Sequence, residues 1–287
     1  MSDPEVAPEP APPGPPPPSG LVRRHRLSTR LWHWTNVVAV TVMLMSGLMI
    51  FNAHPRLYWG QYGANPDHPW LEIGSRGNVG ELRIAGMTLE TTGVIGVFRN
   101  AHGQLMARAF PDWMTLPSYY SLADARLWHL AFAWLLAFAL LAYLLWSLVN
   151  RHVGDLHITR HEWSPAHLWQ DIKDHARLKF PVGEAALRYN VLQKMAYCGV
   201  LFLLLPLVIL TGLTMSPGIN AGFPFLSEVF GGRQSARSLH FIAAFGLVVF
   251  FVVHIVMVVL AGPYNEVRSM VTGWYRVPPE PKGPSDA

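Results

Sequence analysis

The sequence predicts an all-α integral membrane protein, a bundle of four helices with a long outer loop between helices one and two. Of its 287 residues, 51% are hydrophobic and 14% are charged, which is too apolar for an ordinary soluble domain. The hydrophobic residues lie in four runs, each long enough to cross a hydrocarbon core about 30 Å thick. Because lipid offers the backbone no hydrogen-bond partners, each run should be a helix. The alternative is a soluble protein with four buried central helices.

The chain then divides into a membrane domain and two tails. A loop as long as the outer one is uncommon without structure, so we expect it to fold as an outer cap or docking surface. The Pro-rich tails cannot bury a core and are predicted to be disordered. The predicted parts are the tail 1–20, helices at about 28–52, 126–150, 189–214 and 235–262, the outer loop 53–125, the inner loop 151–188, the whole domain 21–276 and the tail 277–287.

Two local features refine this division. The stretch Val94–Phe98 in the outer loop is apolar but far too short to span, and we expect it to lie in the membrane interface. Pro206 should bend the third helix, because proline removes a backbone donor from the helical ladder.

Basic residues indicate the orientation of the bundle. They are concentrated before helix one, between helices two and three and after helix four, which places both termini in the cytoplasm under the positive-inside rule. The net charge of +4 is therefore a membrane signal, and nothing in it indicates nucleic-acid binding. A bacterial inner membrane is expected. The basic residues are Arg23, Arg24, Arg26, Arg30, Arg151, Arg160, Lys173, Arg177, Lys179, Arg188, Lys194, Arg268, Arg276 and Lys282.

Helix four carries two histidines inside an apolar run. His240 and His254 are 14 residues apart, so their side chains leave the same helix face to within roughly 40°. Along the axis they are roughly 21 Å apart, near the two edges of the hydrocarbon core. Ionisable residues inside a membrane are functional candidates that require partners.

Alternating topology supplies a partner at each depth. His33 begins helix one at the inner side, level with His254, and His129 begins helix two at the outer side, level with His240. Two imidazoles from different helices can hold a flat cofactor, so two bis-histidine haems b are predicted. Zinc or copper is the alternative, although two imidazoles do not close a tetrahedral site. No Cys-x-x-Cys-His motif indicates covalent haem.

Two arginines precede His240 on helix four. Arg233 and Arg237 could pair with the propionates of an outer haem as guanidinium–carboxylate pairs. An equally reasonable role is that of interfacial anchors.

The sequence around these histidines resembles that of a known protein family. RLSTRLWHWTN in helix one, RLWHL in helix two and RQSARSLHF followed by VVHIVMVVLAGP in helix four are similar to the di-haem cytochrome b membrane subunits. These subunits include bacterial cytochrome b561, the nickel–iron hydrogenase cytochrome b, formate dehydrogenase gamma and the thiosulfate reductase cytochrome b. The resemblance covers roughly 22–276, and it implies His33 and His254 for the inner haem iron and His129 and His240 for the outer one.

The resemblance also implies substrates and partners. It implies a quinone site beside the inner haem, where Asn190, Gln193 and Lys194 begin helix three, although ordinary interfacial hydrogen bonding explains these residues equally well. The outer loop is longer than in the simplest members and looks like the subgroup that accompanies a periplasmic molybdopterin oxidoreductase. Electron flow in either direction is compatible with it, since inward transfer against the field costs about 2.3 kcal/mol per 100 mV.

Three functional hypotheses result. The first is an electron-transfer subunit that links the quinone pool to a periplasmic oxidoreductase partner, and it is favoured by the long outer loop. The second is a stand-alone quinone-linked oxidoreductase that reacts at the outer haem edge, such as a superoxide oxidase. The third is a haem-free membrane anchor.

Overall fold

The computed structural model describes residues 20–64, 66–151, 154, 156–159, 162–177, 179, 183–187 and 189–278. Residues 1–19 and 279–287 of the predicted tails lie outside these ranges, as do Arg160, Arg188 and Lys282 of the orientation argument. Val277, which we assigned to the C-terminal tail, is buried against Ala186 and Tyr275.

The described part of the chain is mostly helical. In chain order the α-helices are Leu27–Phe51 (α1), Leu122–Val149 (α2), Pro165–Ala176 (α3), Val191–Cys198 (α4), Leu205–Met215 (α5), Pro217–Gly222 (α6), Phe225–Val229 (α7), Arg233–Ala261 (α8) and Pro263–Thr272 (α9). Single 3₁₀ turns lie at Asp112–Met114 and Gly183–Leu187. Four helices are long and apolar enough to cross a membrane, namely α1, α2, α8 and the continuous helix Val191–Met215. The predicted four-helix membrane bundle is confirmed.

The third membrane helix changes its winding at its centre. Between α4 and α5 lies one π-helical segment, Gly199–Leu204. Pro206, in the first turn of α5, has no N–H to donate to the carbonyl of Phe202, four residues earlier. The wider turn just before it redistributes the hydrogen bonds at that point. The structure thus shows a π-turn on the N-terminal side of Pro206, and the bend of the helix there stays a prediction.

The bundle packs as two helix pairs around a mid-membrane core. α1 lies along α2, and α5 lies along α8. The side chains that fill the space between the pairs come from α1, α2, the π-turn and α5, and they are Ala39, Leu136, Leu140, Leu201 and Leu205. Large apolar side chains on the outward faces are exposed, as expected for helices solvated by lipid.

The long loop between α1 and α2 is folded and consists mainly of β-strands. The strands of the chain are Leu21–Arg23 (β1), Arg56–Leu57 (β2), Leu71–Arg76 (β3), Val79–Ile84 (β4), Met87–Glu90 (β5), Gly96–Arg99 (β6), Leu105–Arg108 (β7) and Trp274–Arg276 (β8). Strands β2 to β5 form an antiparallel sheet in sequence order, and β6 pairs with β7. We call this unit, 53–121, the outer cap.

One expectation about the cap is wrong. Val97 and Phe98, within the stretch assigned to the membrane interface, belong to β6 and are almost fully buried. The stretch is apolar because β6 packs against β3 and β4, and a buried strand has the same composition as a short interfacial segment.

The cap is joined to the first turn of α8. The first four N–H groups of a helix lack partners within it, and here the cap accepts hydrogen bonds from three of them. The Arg233 N–H donates to Gln61 Oε1 at 3.1 Å, and those of Gln234 and Ser235 donate to the Gly60 carbonyl at 3.0 and 3.1 Å. The fourth, the N–H of the Ncap residue Gly232, donates to the Ser227 carbonyl at 2.8 Å.

Side chains extend this contact toward His240. The Ser238 hydroxyl donates to the Tyr58 carbonyl at 2.6 Å and accepts from the Trp70 indole N–H at 2.9 Å. The Arg237 guanidinium donates to the carbonyls of Arg56 and His54. We call these contacts between 54–61, Trp70 and 232–238 the outer joint. It fixes the end of α8 that carries His240.

The opposite end of the bundle, which the charge distribution predicts to be the inner one, is closed by the C-terminal segment. Strand β1 pairs antiparallel with β8, and Arg24 forms an ion pair with Glu266 of α9 at 3.2 Å. The Trp34 indole N–H, next to His33, donates to the Met270 carbonyl at 3.1 Å. Both ends of the bundle are therefore tied by hydrogen bonds close to a histidine.

The outer joint can be tested at Gly232. Its φ is +106°, and a Cβ there would lie 2.6 Å from the Gly60 backbone, so Gly232→Ala combines backbone strain with a clash. We expect it to destabilise the fold by about 2 kcal/mol or more, measured as a lower Tm in detergent. The matched control is Gly218→Ala, because Gly218 has no neighbour within 4 Å of the added Cβ. Equal melting temperatures for the two variants would contradict the joint.

Candidate functional site

The four predicted histidines meet in two pairs. The rings of His33 (α1) and His254 (α8) have centroids 6.3 Å apart, with planes inclined by 59°. The rings of His129 (α2) and His240 (α8) have centroids 6.2 Å apart, with planes inclined by 60°. We call these the inner pair and the outer pair. Helix α8 contributes one histidine to each.

The ring separation in both pairs suits an ion held between two imidazoles. Two metal–nitrogen bonds of about 2 Å, with about 1 Å from each nitrogen to its ring centre, place the centroids about 6 Å apart. A direct hydrogen bond between the rings would bring them to about 5 Å. The observed 6.2 and 6.3 Å therefore fit axial ligation of a haem iron by either pair.

The outer pair has a complete set of hydrogen bonds at Nδ1. Nδ1 of His129 lies 3.1 Å from the Ser46 hydroxyl and 3.1 Å from the Met43 carbonyl. Nδ1 of His240 lies 3.1 Å from the Thr211 hydroxyl. Ligating histidines commonly donate their second N–H in this way, which orients the ring and leaves the other nitrogen for the metal. The sequence analysis missed Ser46 and Thr211.

A glycine lies against each outer ring. A Cβ on Gly47 would be 3.3 Å from Cε1 of His129, and a Cβ on Gly212 would be 3.4 Å from Cε1 of His240. Each glycine directly follows the hydroxyl residue that bonds the same ring. The sequence signal was present as Ser46-Gly47 and Thr211-Gly212, but only the packing of α1 on α2 and of α5 on α8 relates them to the histidines.

A closed metal-ion site has less support. Within the described ranges, no group of three or more His, Cys, Asp or Glu side chains converges on a point where a metal ion could bind. Zinc sites need four ligands, or three and an open position. Two isolated imidazoles at each depth match a planar cofactor that supplies the remaining ligands itself.

The two arginines before His240 are engaged with the protein backbone. Arg237 belongs to the outer joint and lies over the Phe51 ring at 5.6 Å. Arg233 is exposed and approaches the Met215 carbonyl at 3.4 Å. The arrangement fits the alternative role as anchors, and pairing with propionates stays a prediction.

The three quinone candidates have structural partners at the start of α4. Asn190 and Gln193 form a capping box, in which each side chain bonds the backbone N–H of the other. The Lys194 ammonium lies 2.7 Å from Glu162 and donates to the His157 carbonyl at 3.1 Å. The hydrogen bond from Lys194 lowers the pKa of Glu162 from 4.5 to about 2, so the carboxylate is charged at neutral pH, and the contribution of this ion pair to stability is lost as pH falls from about 4.5 toward 2.

Four apolar helices that bring histidines together at two depths define the class of membrane cytochromes b. The particular family is shown by comparison, because the family model of the prokaryotic cytochrome b561 matches residues 24–273. The chain belongs to this family. It is a cytochrome b561-type membrane protein of electron transport, and the family implies that it binds haem b.

One relative carries a functional name. The chain is 28% identical over 233 residues, 80% of its length and 87% of the relative's, to the putative protein-methionine-sulfoxide reductase subunit YedZ1 of Azospira oryzae. No solved structure matches the chain.

The close packing of the outer pair leads to a prediction at Gly47. In Gly47→Ala the added methyl group would press on the His129 ring, and we expect about tenfold weaker haem binding at the outer level, measured as haem content per chain. Gly199→Ala is the matched control, since nothing lies within 4 Å of that Cβ. Full haem content in both variants would show that the ring has more room than the structure indicates.

Proposed function

We propose that this protein is the electron-transfer subunit of an oxidoreductase complex, and that it carries electrons across the bacterial inner membrane between the quinone pool and a partner on the outer side. The observation that supports this most strongly is α8, which contributes His240 to one pair and His254 to the other. Two haems b held by these pairs would lie at two depths of one bundle.

The histidines determine what such a site can do. Two imidazoles at each level would hold a haem b, which when bound supplies reversible one-electron chemistry and, with both histidines as ligands, would have no open position for oxygen or substrate. The protein positions the rings, excludes water from the mid-membrane core between the pairs and keeps the two levels on one rigid helix. These are the properties of an electron conductor.

The outer cap supports a protein partner. A small diffusing substrate such as superoxide needs an open surface, whereas the start of α8 is covered by 54–61 of the cap. The named relative is a putative reductase subunit, which favours a separate catalytic subunit here too. We propose a periplasmic oxidoreductase, molybdopterin-dependent as the family resemblance implies. Family membership disfavours the haem-free anchor.

The orientation follows from the distribution of charge. With both termini in the cytoplasm, the inner pair faces the cytoplasmic side, and the quinone site is proposed beside it. Isolation of the complex in mild detergent, followed by identification of its other subunits, tests the partner. Recovery of a fully active preparation without any partner would favour the stand-alone oxidoreductase.

The pairing of the histidines makes separable predictions. His129→Ala or His240→Ala should lower the haem content from two per chain to one, because each removes an axial ligand of the outer haem only. His33→Ala or His254→Ala should remove the other haem. Pyridine haemochrome assay and redox titration of the b-type absorption bands measure both effects. Loss of both haems in every variant, or of neither, would contradict the assignment by depth.

The quinone assignment can be tested at Lys194. If its ammonium contacts quinone, Lys194→Met should raise KM for a soluble quinol roughly tenfold, the usual value of a hydrogen bond to a charged group. Glu162→Gln is the control, since it disrupts the same ion pair but leaves the ammonium in place. Equal effects of both variants would instead assign Lys194 to attachment of the inner loop.

A further inference from the structure

A hydroxyl residue followed by glycine occurs twice at the outer level, once against each histidine. Ser46-Gly47 lies in α1 against His129, and Thr211-Gly212 lies in α5 against His240. The two helices are not adjacent in the chain, yet they present the same pair of groups to the two rings. Each ring therefore rests on a glycine and has a hydroxyl at Nδ1.

The direction of the hydrogen bonds follows from the helices themselves. The Ser46 hydroxyl donates to the Val42 carbonyl of its own helix at 2.7 Å, and the Thr211 hydroxyl donates to the Leu207 carbonyl. A hydroxyl has a single proton, so toward the ring each oxygen acts as an acceptor. Nδ1 of His129 must carry a proton, because the Met43 carbonyl 3.1 Å away can only accept. The same tautomer at His240 lets the Thr211 hydroxyl keep its bond to the Leu207 carbonyl, and Nε2 of both rings is left for a metal.

Both hydroxyls are isolated from solvent. Ser46 and Thr211 are 0% exposed, so water cannot replace either one as an acceptor, and in a low-dielectric interior such hydrogen bonds are stronger than in water. At His129 the Met43 carbonyl shares the Nδ1 proton with Ser46. The inner pair differs, because Nδ1 of His33 is buried without a hydrogen-bond partner among the described residues.

We propose that Ser46 and Thr211 tune the outer haem, and that they lower its reduction potential through the Nδ1–H groups of His129 and His240. Accepting a hydrogen bond from Nδ1 makes the imidazole a stronger electron donor at Nε2. A stronger axial donor stabilises the oxidised iron more than the reduced iron. The proposal rests on the proposed function, since it needs an outer haem held by these two histidines.

The consequence is specific to one level. At a given ambient potential, the two hydroxyls keep a larger fraction of the outer haem oxidised and make it a stronger reductant once reduced. They leave the inner haem unchanged, because neither contacts His33 or His254 in the described structure. Ser46 and Thr211 are thus positioning residues that act through the ligands.

The test is a spectroscopic redox titration of the purified haem-loaded protein. Thr211→Val should make the outer haem roughly tenfold easier to reduce, an upward shift of about 59 mV for a one-electron couple. Ser46→Ala should shift it in the same direction by less, because the Met43 carbonyl still accepts from Nδ1 of His129. The inner haem should not shift. Thr211→Ser keeps the hydroxyl and should restore the wild-type potential.

The matched control is Thr41→Val. Thr41 makes the same bond within α1, to the Val37 carbonyl at 2.7 Å, but no hydrogen bond to a histidine in the part of the chain that the structure describes. It should shift neither haem. If Thr211→Val fails to bind haem, the smaller upward shift expected of Ser46→Ala is the deciding result.

Failure of the tuning and failure of the proposed function give different results. Normal content of two haems with unchanged outer potential in Ser46→Ala and Thr211→Val would overturn the tuning and leave the proposed function intact. An outer haem that is lost in neither His129→Ala nor His240→Ala would overturn the proposed function itself. A shift of both haems together, or a shift in Thr41→Val, would also overturn the tuning, since it would reflect a general loosening of the bundle.

Discussion

The constraint on which the rest of the structure depends is the cost of polar groups inside an apolar bundle. His240 and His254 lie on one face of a helix that is otherwise apolar, and lipid cannot solvate them. The fold places a second histidine beside each of them, His129 of α2 beside His240 and His33 of α1 beside His254. Each pair is spaced for an ion between its rings, and the two pairs share one helix.

The second layer of the structure fixes these pairs in place. At the outer level, Ser46 and Thr211 orient the rings while Gly47 and Gly212 make room for them. Above them, the cap accepts hydrogen bonds from the first N–H groups of α8. The start of the helix that carries His240 is therefore held by the cap. A partner that binds the cap would therefore contact a unit rigidly joined to the outer site, which is a suitable arrangement for electron transfer between subunits.

The features that could be predicted from the sequence are those with long, regular patterns. Four apolar runs, alternating topology and the fourteen-residue spacing of His240 and His254 were enough to anticipate the bundle and which histidines would lie together. The β-structure of the cap could not be predicted from the sequence, because its strands are short. An apolar stretch such as Val97 and Phe98 has the same sequence pattern whether it faces lipid or a protein core. Ser46 and Thr211 were missed because a buried hydroxyl in a helix usually bonds only its own backbone. Their second bond depends on which helix packs opposite.

The most direct test of the central claim is the electron paramagnetic resonance spectrum of the purified oxidised protein, quantified against its haem content. Two imidazoles at each iron predict two haems b per chain, both six-coordinate and low-spin. A single haem per chain, or a high-spin signal from an iron with an open axial position, would contradict the two histidine pairs on which the proposed electron path depends.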